Sequence, residues 1–194
     1  MARTGRWTSG LLLLALLAAC GGPRYIAQPA PDNLPAEWRS VVTRANGETW
    51  TVLGFGKAQE QEDSPLAGRD RAASRARADL DTRVQARLDF LRGKLAETLV
   101  PKKGNGLGRA DLQAILKRAG DIAVNQSRII RRQRSSGGVW QALARTELKN
   151  GLQEAARRQG LPEPTFQQLL DQSEAVLGTP QKSGKGDDGG EGSD

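Results

Sequence analysis

The sequence predicts an α+β fold, an antiparallel sheet from two hairpins packed on a long amphipathic helix, with additional short helices. Three features lead there: a β-branched segment around Asn46-Gly47, an unbroken apolar stripe from Ala73 to Leu99, and a second strand pair after residue 127. Their order is hairpin, long helix, helix, hairpin, helix, which separates the strands by helices without a βαβ repeat.

The first hairpin is expected to pair Val41-Val42-Thr43-Arg44-Ala45 with Glu48-Thr49-Trp50-Thr51-Val52-Leu53. Asn-Gly supplies the two positive-φ residues of a type I′ turn, and the flanking residues are β-branched or aromatic. Gly54-Phe55-Gly56 then closes the second strand. A helix opens at Ser64-Pro65, where Ser can cap and Pro fits the first turn. Its apolar positions, Ala73, Ala76, Leu80, Val84, Leu88, Leu91, Leu95 and Leu99, advance by three or four and share one face. Alanines at 72, 73 and 76 predict that a sheet approaches the helix backbone closely in its first half. Pro101 and the glycines at 104, 106 and 108 end it.

A second helix is expected over 111–125, with Leu112, Ile115, Leu116, Ala119 and Ile122 at helical spacing. The second hairpin runs from Ser127 to Arg134, turns at Ser135-Ser136-Gly137-Gly138, and returns from Val139 to Leu148. Trp140, Ala142, Ala144 and Leu148 fall on one face of the return strand and Val139 and Leu143 on the other, so both faces are expected to be covered. Short helices over 151–158 and 165–177 complete one domain, residues 38–177. Before it lies a Pro-rich tether, residues 20–37, with Pro23, Pro29, Pro31 and Pro35. About fourteen such residues at about 3.1 Å each span roughly 40 Å. After it, 178–194 is rich in Gly and charge, and is expected to stay disordered.

Composition excludes much chemistry. The 194 residues contain no His and one Cys, so neither a histidine-based nucleophile relay nor an intrachain zinc site of His or multiple Cys can form. Gly54-Phe55-Gly56 precedes a helix, but Gln59 stands where a dinucleotide fingerprint needs its third glycine. The glycines at 104–108 follow a helix and lack the G-K-[ST] ending of a P-loop. No cofactor is expected. Glu60, Glu62 and Asp63 form the one carboxylate cluster that could serve a glycan hydrolase, yet their polar surroundings fit a solvated loop or the dipole of the following helix better.

The strongest signal is at the start. Arg3 and Arg6 precede a continuous apolar run from Leu11 to Ala19, then Leu17-Ala18-Ala19-Cys20-Gly21. Nine apolar residues in helix span about 14 Å, far short of a bilayer core of about 30 Å, so this run reads as a removable export signal, residues 1–19. Leu17-Ala18-Ala19-Cys20 resembles the lipobox of bacterial lipoproteins. That resemblance implies diacylglyceryl transfer to the Cys20 sulfur and cleavage before it, hence lipid attachment at Cys20, membrane association through acyl chains, and no disulfide. Gly21 stands where that family's inner-membrane retention signal has aspartate, which favours the outer membrane.

Removing residues 1–19 takes Arg3 and Arg6 from the 29 basic side chains and leaves 27 against 22 acidic ones, a formal charge of +5. Arg128, Arg131, Arg132 and Arg134 crowd one strand. They are candidate anion-binding residues for lipid headgroups or cell-wall polymers, the alternative being a charged strand edge that resists aggregation. A sequence pI near 10.1 would suit nucleic acid, but export removes the chain from it. Asp79 and Arg83, four residues apart on the long helix, are expected to pair structurally.

After the lipobox and tether come Pro35-Ala36-Glu37-Trp38, then GFGKA at 54–58, ARADL at 76–80 and VWQALART at 139–146. These segments resemble the LPP-twenty family of bacterial surface lipoproteins, whose domain is similar to the N-terminal domain of flagellar assembly protein T. The likeness runs from about Pro35 to Gly160 and implies an antiparallel sheet on a long helix, without catalysis. The resulting expectation is a non-enzymatic, lipid-anchored envelope protein that binds or positions another envelope component. The competing expectations are a carboxylate-dependent cell-wall glycan hydrolase and a flagellar or secretion-apparatus accessory. A sheet completed by a second copy is left open.

Overall fold

The computed structural model describes residues 34–60, 64–100 and 107–178. Elements follow the order α1 (Ala36–Asn46), β1 (Thr51–Gln59), α2 (Pro65–Thr98), α3 (Arg109–Asn125), β2 (Arg128–Arg134), β3 (Val139–Glu147), α4 (Leu148–Arg158) and α5 (Glu163–Gly178). The strands form an antiparallel sheet in the order β1-β3-β2. The fold is α+β with that sheet packed on α2, as expected.

The first hairpin is not formed. Residues 41–46 belong to α1, and Gly47 takes an ordinary right-handed conformation, φ −81°, rather than a positive one. Trp38, Val42 and Ala45 are buried and Val41 packs beside them, a spacing of three and four that matches a helical face and outweighs the weak β preference of Val-Val-Thr. Asn46-Gly47 is instead the helix exit, with the Gly47 and Glu48 amides donating to the Arg44 and Ala45 carbonyls. Leu34, the first described residue, is buried with α1. Only β2 and β3 make a hairpin; β1 joins β3 from the far side.

Gly54 and Gly56 do not close β1, which continues to Gln59. They lie at its centre, where a Cβ on Gly54 would sit 2.2 Å from the Ala76 carbonyl oxygen and one on Gly56 2.0 Å from that of Ala72. The small residues of strand and helix thus meet backbone to backbone, the close approach expected from the alanines at 72, 73 and 76. Trp50 just before β1, Val52 and Ala58 from β1, and Ala142 and Ala144 from β3 join Ala72, Ala76, Leu80 and Val84 in the main core. Leu53 and Leu143 point to the other face, where Trp38 and Val42 of α1 cover them. β3 is therefore buried on both faces.

Closeness has a second effect. In an antiparallel strand, alternate residues turn their backbone groups away from the neighbour, and β1 is an edge strand. Side chains four residues apart on α2 reach those groups in order. Arg71 donates to the Gln59 carbonyl, Arg75 to that of Lys57 at 2.6 Å, and Arg87 to those of Thr51 at 2.9 Å and Thr49. Asp79 accepts the Phe55 amide at 2.8 Å, and Arg83, paired with Asp79 as expected, lies 5.1 Å above the Phe55 ring. Two strand residues advance about 6.6 Å and four helical residues about 6.0 Å, so one ridge of the helix keeps step with one edge of the strand.

The second half of α2 passes beyond the sheet. Leu88, Leu91 and Leu95 pack with Leu112, Ile115 and Leu116 of α3, and Phe166 and Leu169 of α5 complete the same core. α4 crosses α3 at Gly151, where a Cβ would meet the Ala119 carbonyl at 2.5 Å. Among the described residues no helix is long and apolar enough to cross a membrane.

Gly54→Ala is expected to lower unfolding free energy by roughly 3 kcal/mol, because neither the Ala76 backbone nor Leu80 can give way. Gly137→Ala, whose Cβ would meet nothing closer than 4.0 Å, should stay within about 0.5 kcal/mol. Urea denaturation of both variants checks the contrast.

Candidate functional site

Leu17, Ala18, Ala19 and Cys20 lie outside the described residues, as do Glu62 and Asp63 and the glycines at 104 and 106. The arginines of β2 are described, and the structure divides them. Register pairs Arg128 with Arg145 and Arg131 with Leu143, which places both on the α1 side of the sheet. Arg132 opposite Ala142 and Arg134 opposite Trp140 fall on the α2 side. Alternation would set Arg131 alone against the other three; a bulge between Ile129 and Arg131 puts Ile130 and Arg131 on the same side and makes the division two and two. All four arginines are exposed. Arg134 is held by Glu60, its Nε 2.8 Å from Oε2, so Glu60 straps the end of β1 to the hairpin. No single cluster of four guanidiniums exists.

A polar corner forms where β1, β3 and the exit of α1 meet. Thr51 Oγ1 lies 2.6 Å from Glu48 Oε2 and 2.6 Å from Glu147 Oε1, and its one proton can serve only one carboxylate at a time. Arg145 Nη2 reaches the same two oxygens, at 2.9 and 2.7 Å. The hydrogen bond to Glu147 is the main reason the Arg145 guanidinium is held above its usual pKa; partial burial opposes this and the charges of Glu48 and Glu147 add to it. Residue spacing carried a signal for this corner: Arg145 and Glu147 are two apart on one strand face, and Glu48 and Thr51 sit three apart.

Beside this corner, Asn125, Gln126, Ser127, Arg128, Ile130, Arg145, Thr146, Glu147 and Asn150 line an open depression of about 690 Å³. Ser127 Oγ is buried there without a hydrogen-bond partner, and Arg128 has no carboxylate partner among the described residues. The amides, the Ser127 hydroxyl and the Arg128 guanidinium can hydrogen-bond a polar or anionic group; they provide no nucleophile with an adjacent base. Glu48 and Glu147 lie close enough for carboxylate-pair chemistry, but such chemistry needs one acid kept protonated by burial. Their side chains are 40% and 37% exposed, with Arg145 between them. Among the described residues no three His, Cys, Asp or Glu side chains converge to hold a metal.

On the far side of β1, Lys149 Nζ pairs with Glu174 at 3.1 Å and lies 5.7 Å from the centre of the Trp50 ring, tying α5 to α4 and to the start of β1. The hydrogen bond from Lys149, then its charge, holds the Glu174 carboxyl below the usual range. The Trp50 indole N–H adds a weaker pull without reaching hydrogen-bond geometry.

No protein-family model matches this chain, and no curated protein matches it.

Arg145→Met should lower stability by roughly 0.5–1 kcal/mol, the modest value reflecting side chains open to water, and adding Glu48→Gln should recover part of it. A double-mutant cycle by chemical denaturation measures both. For Glu174, the depressed folded pKa means the pairing stabilises above the ordinary glutamate pKa and is lost as pH falls through the folded value. Carboxyl-carbon NMR titration should place Glu174 below the ordinary value and Lys149→Met should raise it.

Proposed function

We propose that this protein is a non-enzymatic bacterial envelope lipoprotein, exported and attached to the outer membrane by acyl chains on Cys20, whose α+β domain binds or positions another envelope component. The observation that carries this reading is Leu17-Ala18-Ala19-Cys20 behind a basic start and an apolar run, with Cys20 the one cysteine of the sequence. A single acyl chain binds a bilayer reversibly and two or more bind it durably, at about 0.8 kcal/mol per buried methylene.

The segments that resemble the LPP-twenty family have structural work in this domain. Trp38 is buried under α1, GFGKA holds the two glycines that meet α2, ARADL holds Ala76, Asp79 and Leu80 on the other side of that contact, and VWQALART is most of the central strand. The likeness therefore supports a shared scaffold and supplies no site. Every Asp and Glu among the described residues is exposed or ion-paired, which speaks against the desolvated acid that a glycan hydrolase requires.

Metabolic labelling with a radioactive fatty acid tests the reading. The protein should take up label, lose it entirely in Cys20→Ser, and accumulate as a larger precursor when lipoprotein signal peptidase is inhibited. An unlabelled protein whose size is indifferent to the inhibitor would refute the anchor.

A further inference from the structure

The sheet divides the surface charge unevenly. On the α1 side, Arg39 and Arg44 of α1, Lys57 of β1, and Arg128 and Arg131 of β2 have no carboxylate partner among the described residues. Lys57 belongs there because it shares its strand face with Leu53 and Phe55, which pack under α1. Against these five cations stands one unpaired acid, Glu37, since Arg145 occupies Glu48 and Glu147. On the opposite side Arg77, Lys94, Arg109, Lys117, Arg118 and Arg132 are interspersed with Asp81, Glu97, Asp111, Asp121, Glu163 and Asp171, and Arg71, Arg75 and Arg87 are taken up by backbone carbonyls of β1, so free cations there do not stand five to one against free acids as they do on the α1 side.

The chain also joins the domain on the basic side. Leu34, the first described residue, packs with Trp38 and Val42 in the cluster beneath α1. Thirteen residues lie between it and Cys20, a reach of at most about 50 Å. A surface fixed that close meets the bilayer at high effective concentration, so weak attraction per charge is enough to orient it.

We propose that the α1 side of the sheet is an electrostatic docking surface for anionic lipid headgroups, which lays the domain basic face down on the bilayer that anchors it and turns the α2–α3 side outward. The proposal rests on the lipid-anchored reading above and adds the orientation. Two features favour a lipid surface over a discrete anion site. The cations are spread over one helix and two strands, and the arginines are individually exposed rather than converging on one pocket. A plane of phosphates matches that layout; a single phosphate does not.

The test uses the full chain carrying Cys20→Ser, which cannot be acylated, sedimented with vesicles of phosphatidylcholine alone or with roughly one quarter phosphatidylglycerol. The signal segment is common to all variants and cancels in the comparison. Anionic vesicles should bind about tenfold or more tightly at low salt, with the preference vanishing at high salt. Arg39→Glu with Arg131→Glu should lower that binding about tenfold or more, and so should the independent pair Arg44→Glu with Arg128→Glu. Arg77→Glu with Arg118→Glu makes the same charge change on the opposite side and should alter binding by no more than about twofold. Circular dichroism of each variant verifies folding, since none of these arginines is ion-paired.

Equal losses from both sides of the molecule, indifference to phosphatidylglycerol, or displacement by inorganic phosphate at matched ionic strength would each overturn the proposal. Because no acyl chain is present, failure here leaves the Cys20 anchor untouched, and a bare Cys20 thiol in cells leaves this measurement untouched.

Discussion

The contact between α2 and β1 is the constraint on which the rest of the structure depends. Gly54 and Gly56 remove the side chains that would hold a strand at ordinary distance from a helix, and Ala72 and Ala76 do the same from the other side. At ordinary spacing the arginines of α2 would extend into water. At this spacing Arg71, Arg75 and Arg87 reach backbone carbonyls of β1 and Asp79 reaches an amide. An edge strand that would present unpaired polar groups is closed by the helix packed against it. The charge-rich composition of α2 and the glycine content of β1 are one solution to one problem.

That closure leaves the two sheet edges unlike each other. β1 is finished by α2, while β2 carries a bulge and exposed arginines, devices that discourage pairing with another strand. The two faces differ as well. α2, α3, α4 and α5 supply one continuous core on one face, whereas the single helix α1 covers the other with a small cluster around Trp38, Leu53 and Leu143. On the thinly covered face unpaired cations outnumber unpaired acids five to one, Arg39, Arg44, Lys57, Arg128 and Arg131 against Glu37. The bulge contributes to this directly, since it turns Arg131 to the same side as Arg128.

Much of the scaffold was legible in the residues. The stripe from Ala73 to Leu99, the second hairpin and the two-sided burial of β3 each follow from periodicities that tertiary packing reinforces, and α2 starts at Ser64-Pro65, although the Ser64 side chain makes no cap hydrogen bond. α1 is hidden from a local reading because Val41-Val42-Thr43 and Asn46-Gly47 match a hairpin, while the deciding pattern, Trp38, Val41, Val42 and Ala45 on one helical face, needs a wider window. Alternation alone sets Arg131 apart from Arg128, Arg132 and Arg134; that Arg128 joins Arg131 instead depends on the bulge, which alternation cannot reveal. The partners of the α2 arginines were invisible for a different reason: they are backbone atoms, and backbone atoms have no letter in a sequence. Local spacing joins Glu48 to Thr51 and Arg145 to Glu147, but the two pairs lie about 95 positions apart and meet only after β1 and β3 pair, so no local reading joins one pair to the other.

A scaffold closed in this way leaves β1 no open edge for non-specific strand pairing. The closure itself is most directly tested by amide hydrogen exchange at Phe55, whose N–H points away from β3 and toward Asp79. The account predicts that this amide exchanges as slowly as its neighbours bonded to β3, and that Asp79→Ala speeds it by about tenfold or more while those neighbours hold. A Phe55 amide that exchanges in the wild-type protein as fast as the solvent-facing amides of β2 would contradict it.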